Sequence, residues 1–134
     1  MGAYVASQLI KKMAQKGIAV RGSSVLVMGL TFKENTPDLR NTRVVDIIDE
    51  LRDYGITVDV HDPWVDADDA RAEYGLELVE EPAHGKYHAI ILAVGHRQFA
   101  KLGTDRVKQF GRRDAHVVYD LKNVLSGNAA DLRL

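Results

Sequence analysis

The sequence predicts an α/β protein: a three-layer, Rossmann-like parallel sheet with helices on both faces. Short apolar runs such as 89–94, "AIILAV", are typical of strands that are buried on both faces, as in parallel sheets. Segments with helical periodicity alternate with these runs, and such alternation indicates right-handed βαβ crossovers. The chain has 134 residues, which is enough for one domain with its own core.

Each element is predicted from a local pattern. Apolar residues fall on one face over 3–16, which predicts a helix, and Gly17 suits its C-terminal cap. Apolar and polar residues alternate over 57–62, which predicts a strand that ends before Pro63. The other strands are predicted over 24–30, 76–79, 89–94 and 116–119, and the other helices over 42–54, 66–74, 97–102 and 105–110.

Composition excludes several classes of protein. The formal net charge is −1, whereas a protein that binds nucleic acid usually carries a basic excess. The chain has no cysteine, which excludes a disulfide framework and a thiol nucleophile within it. No apolar run is long enough to span a bilayer and no leader pattern is visible, so we expect no membrane association and a cytoplasmic location.

The likeness to a dinucleotide-binding fold stops at the first loop. In open α/β sheets ligands bind beyond the carboxyl ends of the strands, so loops 30–41, 95–99 and 120–126 are expected to converge. A dinucleotide fingerprint has three glycines at the first of these loops, and here only Gly29 is present. We therefore do not expect the chain to bind NAD by itself.

The first loop instead offers cationic side chains. Lys33, Arg40 and Arg43 suit phosphate or carboxylate, and the N-terminus of the following helix adds partial positive charge. These features favour an anionic ligand. The alternative is that all three are solvated surface charges, and Glu34 and Asp38 partly neutralise the loop.

Other polar residues have simpler interpretations. Asp62 lies where such folds place a ribose-binding acid, but a turn residue before Pro63 is the preferred interpretation. His96 follows a buried strand and could contact a ligand, although a loop histidine is more often solvated. His84 and His88 are four apart, but the glycine and proline near them argue against a helix that presents both to a metal, so no metal site is expected.

Four segments together resemble a known family. The pattern G-x-x-F-K-x-x-x-x-D-x-R begins at Gly29, and it is followed by "VDVHDPWVD", "AIILAVGHRQF" and "VVYDLKNVL". These segments resemble the C-terminal domain of the UDP-glucose/GDP-mannose dehydrogenase family, and are closest to its UDP-N-acetylhexosamine branch. Residues 1–17 resemble the end of the family's central inter-domain helix, and 18–134 its C-terminal nucleotide-sugar-binding domain. This helix lacks a capping residue before it, so we expect a longer protein.

The resemblance implies a function that this chain shares with another domain. The family oxidises the C6 alcohol of a nucleotide sugar to a carboxylate, for surface polysaccharide synthesis, and reduces NAD. Its N-terminal domain carries the glycine-rich NAD loop and the catalytic cysteine. The chain is thus expected to bind the UDP-sugar, to hold no catalytic residue and to be inactive alone, with NAD bound mainly by the N-terminal domain.

The resemblance also assigns individual residues. Phe32 and Lys33 match residues at the UDP-sugar pocket between the domains, and Arg40 matches an arginine that reaches the NAD bound on the other domain. Asn123 aligns with an arginine that reaches the substrate of a neighbouring subunit, and Lys122 lies beside it. Either Lys122 substitutes for that arginine or this contact is lost.

Two alternatives and one assembly remain open. The chain could be a stand-alone nucleotide-binding or regulatory module, or a small enzyme with its own NAD, although the missing glycines count against the latter. A homo-oligomer is expected. If the apolar stripe of Val5, Leu9, Ile10 and Met13 is exposed, the chain should self-associate through it; if the stripe packs inward, this surface gives no reason for a dimer.

Overall fold

Helices and strands alternate along the chain in the computed structural model, which describes residues 2–134. In chain order the elements are α1 (Gly2–Gln15), β1 (Ser24–Met28), α2 (Val44–Asp53), β2 (Thr57–His61), α3 (Ala67–Tyr74), β3 (Ala89–Leu92), α4 (Arg97–Gln109), β4 (Val117–Asp120) and β5 (Leu132–Arg133). The strands form one sheet in the order β2-β1-β3-β4-β5, and every neighbouring pair is parallel. Among residues 2–134, no helix has both the length and the apolar composition to cross a bilayer.

The sheet separates two apolar cores. Val25 and Val27 of β1 belong to the core that α1, α2 and α3 cover. Leu26 and Met28, which alternate with them, belong to the core under α4. The central strands are buried on both faces because successive side chains point to opposite sides of a strand. The predicted three-layer α/β fold is therefore confirmed.

Most differences from the predicted elements concern short segments. The predicted strand at 76–79 is reduced to a single bridge between Val60 and Leu78. The two short helices predicted over 97–110 form α4, which is interrupted at Gly103, where φ is 77°. Strand β5 was not predicted, because its two residues are too few to show an alternating pattern.

The apolar stripe of α1 packs inward. Val5, Leu9 and Met13 have no exposed surface, and Ile10 is partly buried against the same core. The expectation of an exposed stripe is therefore wrong, and the reason for self-association through it is removed. The stripe closes on α2 and β4 of its own chain. A homo-oligomer formed through some other surface stays a prediction.

Replacing Leu9 tests whether α1 is part of the core. Leu9→Ala should lower the free energy of unfolding by about 2–5 kcal/mol, because a buried leucine is replaced by a cavity. Urea denaturation measures this change. Lys11→Ala, at an exposed position on the same helix, is the control and should change stability by less than about 0.5 kcal/mol. Equal stabilities for the two variants would show that α1 is not docked.

Candidate functional site

The loops after β1, β3 and β4 converge at the carboxyl edge of the sheet, as predicted. Two neighbouring cavities share Phe32. One, of about 260 Å³, is lined by Phe32, Lys33, Asp38, Arg40 and Asn41. The other, of about 120 Å³, is lined by Thr31, Phe32, Arg43, Val44, Ile47, Ala93, Leu121, Lys122 and Leu134. Residues that are far apart in the sequence thus surround one exposed aromatic side chain.

Gly29 is required by a close approach rather than by a ligand. Its φ is 103°, a conformation that favours glycine, and a Cβ atom at this position would lie 2.6 Å from the Cβ of Val94. The loop after β1 therefore packs directly on the loop after β3.

The backbone amides of the first loop already have acceptors. The amides of Leu30 and Thr31 donate to Asp62 Oδ2, that of Phe32 donates to the Asp38 carbonyl, and that of Asn35 donates to the ring of His96. A pyrophosphate held in the usual dinucleotide manner needs free amides at this loop. The residues present therefore do not fit NAD as a ligand of this domain alone.

The carboxylate of Asp62 holds the ligand edge together. It is 5% exposed, and its Oδ1 accepts from the Trp64 amide at 2.8 Å. Its Oδ2 accepts from the Leu30 amide at 2.7 Å, from the Thr31 amide at 3.3 Å and from His96 Nε2 at 2.9 Å. The preferred interpretation as a turn residue is correct but incomplete, because Asp62 also fixes the loops after β1 and β3.

These contacts determine the charge state of Asp62. Burial alone would raise the pKa of this carboxyl, but hydrogen bonds from His96 and from the Leu30 and Trp64 amides outweigh burial. The pKa of Asp62 lies below its ordinary value as a result, so the folded chain favours the carboxylate.

His96 is part of the structure beneath the site. Its side chain has no exposed surface, so the expectation of a solvated histidine is wrong, and in this conformation the ring does not reach a ligand in the cleft. Its Nδ1 accepts the Asn35 amide proton at 2.9 Å, while Nε2 faces Asp62. No sequence pattern distinguished this buried histidine from a solvated one.

The predicted site residues of the first loop are exposed. Phe32 is 51% exposed, and Lys33 is also on the surface. Arg40 is 84% exposed in its side chain and forms a two-pronged ion pair with Asp38, at 3.0 and 3.1 Å. This guanidinium, together with Lys33, lowers the pKa of the Asp38 carboxyl. Lys33 therefore lies in the cleft with its positive charge, whereas Arg40 is already paired.

Lys122 and Asn123 face different surroundings. Lys122 lines the smaller cavity beside Phe32. Asn123 has a left-handed φ of 55°, and its Oδ1 accepts from Arg133 Nη1 at 2.9 Å. The structure thus places Lys122, rather than Asn123, with the other predicted site residues.

A second buried carboxylate shapes the loop that carries Lys122. Asp120 has no exposed surface and accepts the amides of Lys122, Val124 and Leu125. Arg133 of β5 donates to the same carboxylate at 3.2 Å. Sequence reasoning missed the roles of Asp62 and Asp120. The signal that could have found them is an aspartate directly after a predicted strand.

The largest described cavity lies elsewhere. It measures about 700 Å³, lies near the amino ends of β3 and β4, and includes His84, Arg112 and His116 in its lining. We place the candidate site at the carboxyl edge because loops from three strands meet there, as is usual for parallel α/β sheets.

His84 and His88 do not form a metal site. His88 Nδ1 accepts the Ser24 amide proton at 3.0 Å, and the ring of His84 packs on Phe110 with centroids 5.7 Å apart. No cluster of three or more His, Asp or Glu side chains suited to a metal occurs within 2–134.

Fold and site together define a Rossmann-like domain that presents cationic side chains, rather than free backbone amides, at its ligand edge. Residues 26–127 match the profile of the "UDP-glucose/GDP-mannose dehydrogenase family, UDP binding domain". The chain belongs to this family, which confirms the resemblance seen in the sequence motifs.

Individual relatives agree with this assignment. The chain is 54% identical to UDP-N-acetyl-D-glucosamine 6-dehydrogenase of Salmonella typhi and 56% identical to that of Pseudomonas aeruginosa; each match covers the whole chain. It spans about a third of these curated relatives, 31% and 32% of their lengths. A solved NDP-N-acetyl-D-galactosaminuronic acid dehydrogenase from Methanosarcina mazei Go1 superposes with a TM-score of 0.76 at 25% identity, over 92% of this chain and 25% of that one.

The lowered pKa of Asp62 predicts a pH-dependent stability. Near neutral pH, Asp62→Asn should lower the free energy of unfolding by about 1–3 kcal/mol, because charged hydrogen bonds are lost. A depressed folded-state pKa gives stability that is present above the unfolded pKa, 3.8, and is lost as pH falls through the folded value. The difference between parent and variant should therefore shrink as pH falls towards about 3.

Urea denaturation at several pH values measures that difference. Other carboxylates with lowered pKa values are common to both proteins, so their effects cancel. The exposed Asp53→Asn is the control and should stay within about 0.5 kcal/mol of the parent at every pH. A parent–variant difference that stays constant down to the acid limit would contradict the role of the ionised carboxylate.

Proposed function

We propose that the chain is the UDP-sugar-binding domain of an NAD-dependent nucleotide-sugar 6-dehydrogenase. The complete enzyme oxidises the C6 alcohol of the sugar to a carboxylate, for surface polysaccharide synthesis. The observation that carries the proposal is the meeting of Phe32, Lys33, Arg43 and Lys122 around two neighbouring cavities at the carboxyl edge of the sheet. Family membership and the relatives' printed activities support it.

The chemistry of these side chains suits a nucleotide diphosphate. Lys33 supplies a compact positive charge for a phosphate oxygen, and Lys122 and Arg43 add cationic groups on the other side of Phe32. The exposed ring of Phe32 offers an apolar face to a base or a sugar. Asn123 is predicted to act in the same substrate region only through the loop it shares with Lys122, since its amide oxygen is bound to Arg133.

The proposal places the reaction between this domain and another. The cavities are open on one side, and the first loop has no free amides for a dinucleotide. NAD is therefore held mainly by an N-terminal domain that completes the cleft, and Arg40 faces that domain at the exposed edge. Residues 1–17 continue the inter-domain helix, and 18–134 form the sugar-nucleotide domain. A cytoplasmic location and a homo-oligomer are parts of this proposal.

A stand-alone nucleotide-binding or regulatory module is the second candidate. The observation that favours it is the closed core of the chain, in which even the stripe of α1 is covered. The two candidates differ in what happens when an N-terminal domain is supplied. Only the first predicts that oxidation of a UDP-sugar appears when both domains are joined in one chain.

The chain alone should have no dehydrogenase activity. It has no cysteine to act as a nucleophile, and its first loop has no free backbone amides for NAD. The measurement is NADH absorbance with UDP-N-acetylglucosamine and NAD. Production of NADH by the pure chain, well above the blank, would reject the assignment of catalysis to another domain.

Lys33→Ala should weaken UDP binding to the chain by about 1–3 kcal/mol, because a charged hydrogen bond to phosphate is lost. Titration of the parent and the variant with UDP, followed by amide NMR shifts, gives the two affinities. Lys11→Ala removes an equal charge far from the cleft and should leave the affinity unchanged. Equal affinities for the parent and Lys33→Ala would exclude Lys33 as a phosphate contact.

A further inference from the structure

We propose that His96 is a positioning residue, which holds the loop of Phe32 and Lys33 in its binding conformation through one tautomer of its ring. The inference rests on the proposed function, because it assigns a cause to the placement of Lys33 in that site. It concerns a side chain that touches no ligand and that lies one layer beneath the cleft.

The hydrogen bonds of the His96 ring determine its tautomer. The Asn35 amide can only donate, so Nδ1 accepts that proton at 2.9 Å and carries none itself. Nε2 therefore bears the ring proton and donates it to Asp62 Oδ2, also at 2.9 Å. The ring thus connects the carboxylate at the end of β2 to the backbone of the first loop.

This connection fixes the loop on both sides of Lys33. On one side, the amide of Thr31 donates to Asp62, and the Thr31 hydroxyl donates to the Lys33 carbonyl at 2.7 Å. On the other side, Asn35 has a left-handed φ of 57° and is held from two directions. Its amide bonds to His96, and its Oδ1 accepts from the Arg97 amide at 2.8 Å. Lys33 lies between these two anchored residues.

The surroundings of the ring leave no easy substitute for His96. The ring has no exposed surface and packs beside Phe99 and Trp64, with centroids 5.4 and 6.2 Å away. Without an acceptor at Nδ1, the Asn35 amide would face this buried apolar environment unpaired. Because a buried unpaired amide is unfavourable, the loop would move to solvate it, and Lys33 would move with the loop.

Two substitutions separate the two ends of the ring. The amide oxygen of His96→Asn can lie near the position of Nδ1 and accept from Asn35, whereas the link to Asp62 is lost. The amide nitrogen of His96→Gln can lie near the position of Nε2 and donate to Asp62, whereas the acceptor for Asn35 is lost. Each variant keeps one hydrogen bond and removes one, so the pair is matched in the number of bonds lost.

We expect the two variants to differ in the loop. In His96→Gln, hydrogen exchange of the Asn35 amide should be at least about tenfold faster than in the parent, and the UDP dissociation constant should rise by roughly tenfold. In His96→Asn both quantities should stay within about threefold of the parent. Urea denaturation of both variants shows whether binding merely follows stability. Exchange and affinity that change equally in the two variants would assign His96 a purely structural role and overturn the proposal.

The exchange measurement needs no ligand, which separates this proposal from the proposed function. If UDP fails to bind the parent, the proposed function is rejected, while faster Asn35 exchange in His96→Gln alone still supports the positioning role. Nitrogen NMR of the ring in the parent provides a test that no folding defect can affect. It should show an unprotonated Nδ1 and a protonated Nε2. A proton on Nδ1 in the folded chain at neutral pH would overturn the proposal.

Discussion

The buried carboxylate of Asp62 is the contact on which the ligand edge of this domain depends. A buried anion needs several donors, and here they come from the loop after β1, from the turn after β2 and from the loop after β3. Because one carboxylate satisfies all of them, these segments can meet in only one arrangement. The position of Lys33 above the sheet is a consequence of this requirement, since the carboxylate and His96 anchor the residues on either side of it.

The same requirement explains why this Rossmann-like loop recognises charge with side chains. Amides that would otherwise point at a pyrophosphate are used to neutralise Asp62 and to hold the ring of His96. The positive charge available to a ligand is then that of Lys33, Arg43 and Lys122, on long side chains around an exposed ring. Such a surface forms one wall of a cleft. It suits a domain whose second wall, and whose dinucleotide, belong to another part of the protein.

A similar arrangement occurs at the end of β4. Asp120 collects the amides of its own loop, and Arg133 of the short strand β5 compensates the remaining charge. This pairing decides the direction of two neighbouring side chains, because Asn123 is drawn to Arg133 while Lys122 lines the cleft. Two buried aspartates, each placed directly after a strand, therefore shape the loops on both sides of the exposed ring of Phe32.

The sequence alone determined the parallel α/β fold, the family and the loop that carries Phe32 and Lys33, because apolar periodicity and short motifs are local properties of the chain. It did not determine that the α1 stripe is covered, that His96 is buried, or that Arg40 is paired with Asp38. It also did not reveal β5. Only the tertiary structure decided these points. His96 and Asn35 are 61 residues apart, and Asp62 and Leu30 are 32 apart. Whether a polar side chain is solvated or buried depends on such distant partners, which a local pattern does not contain.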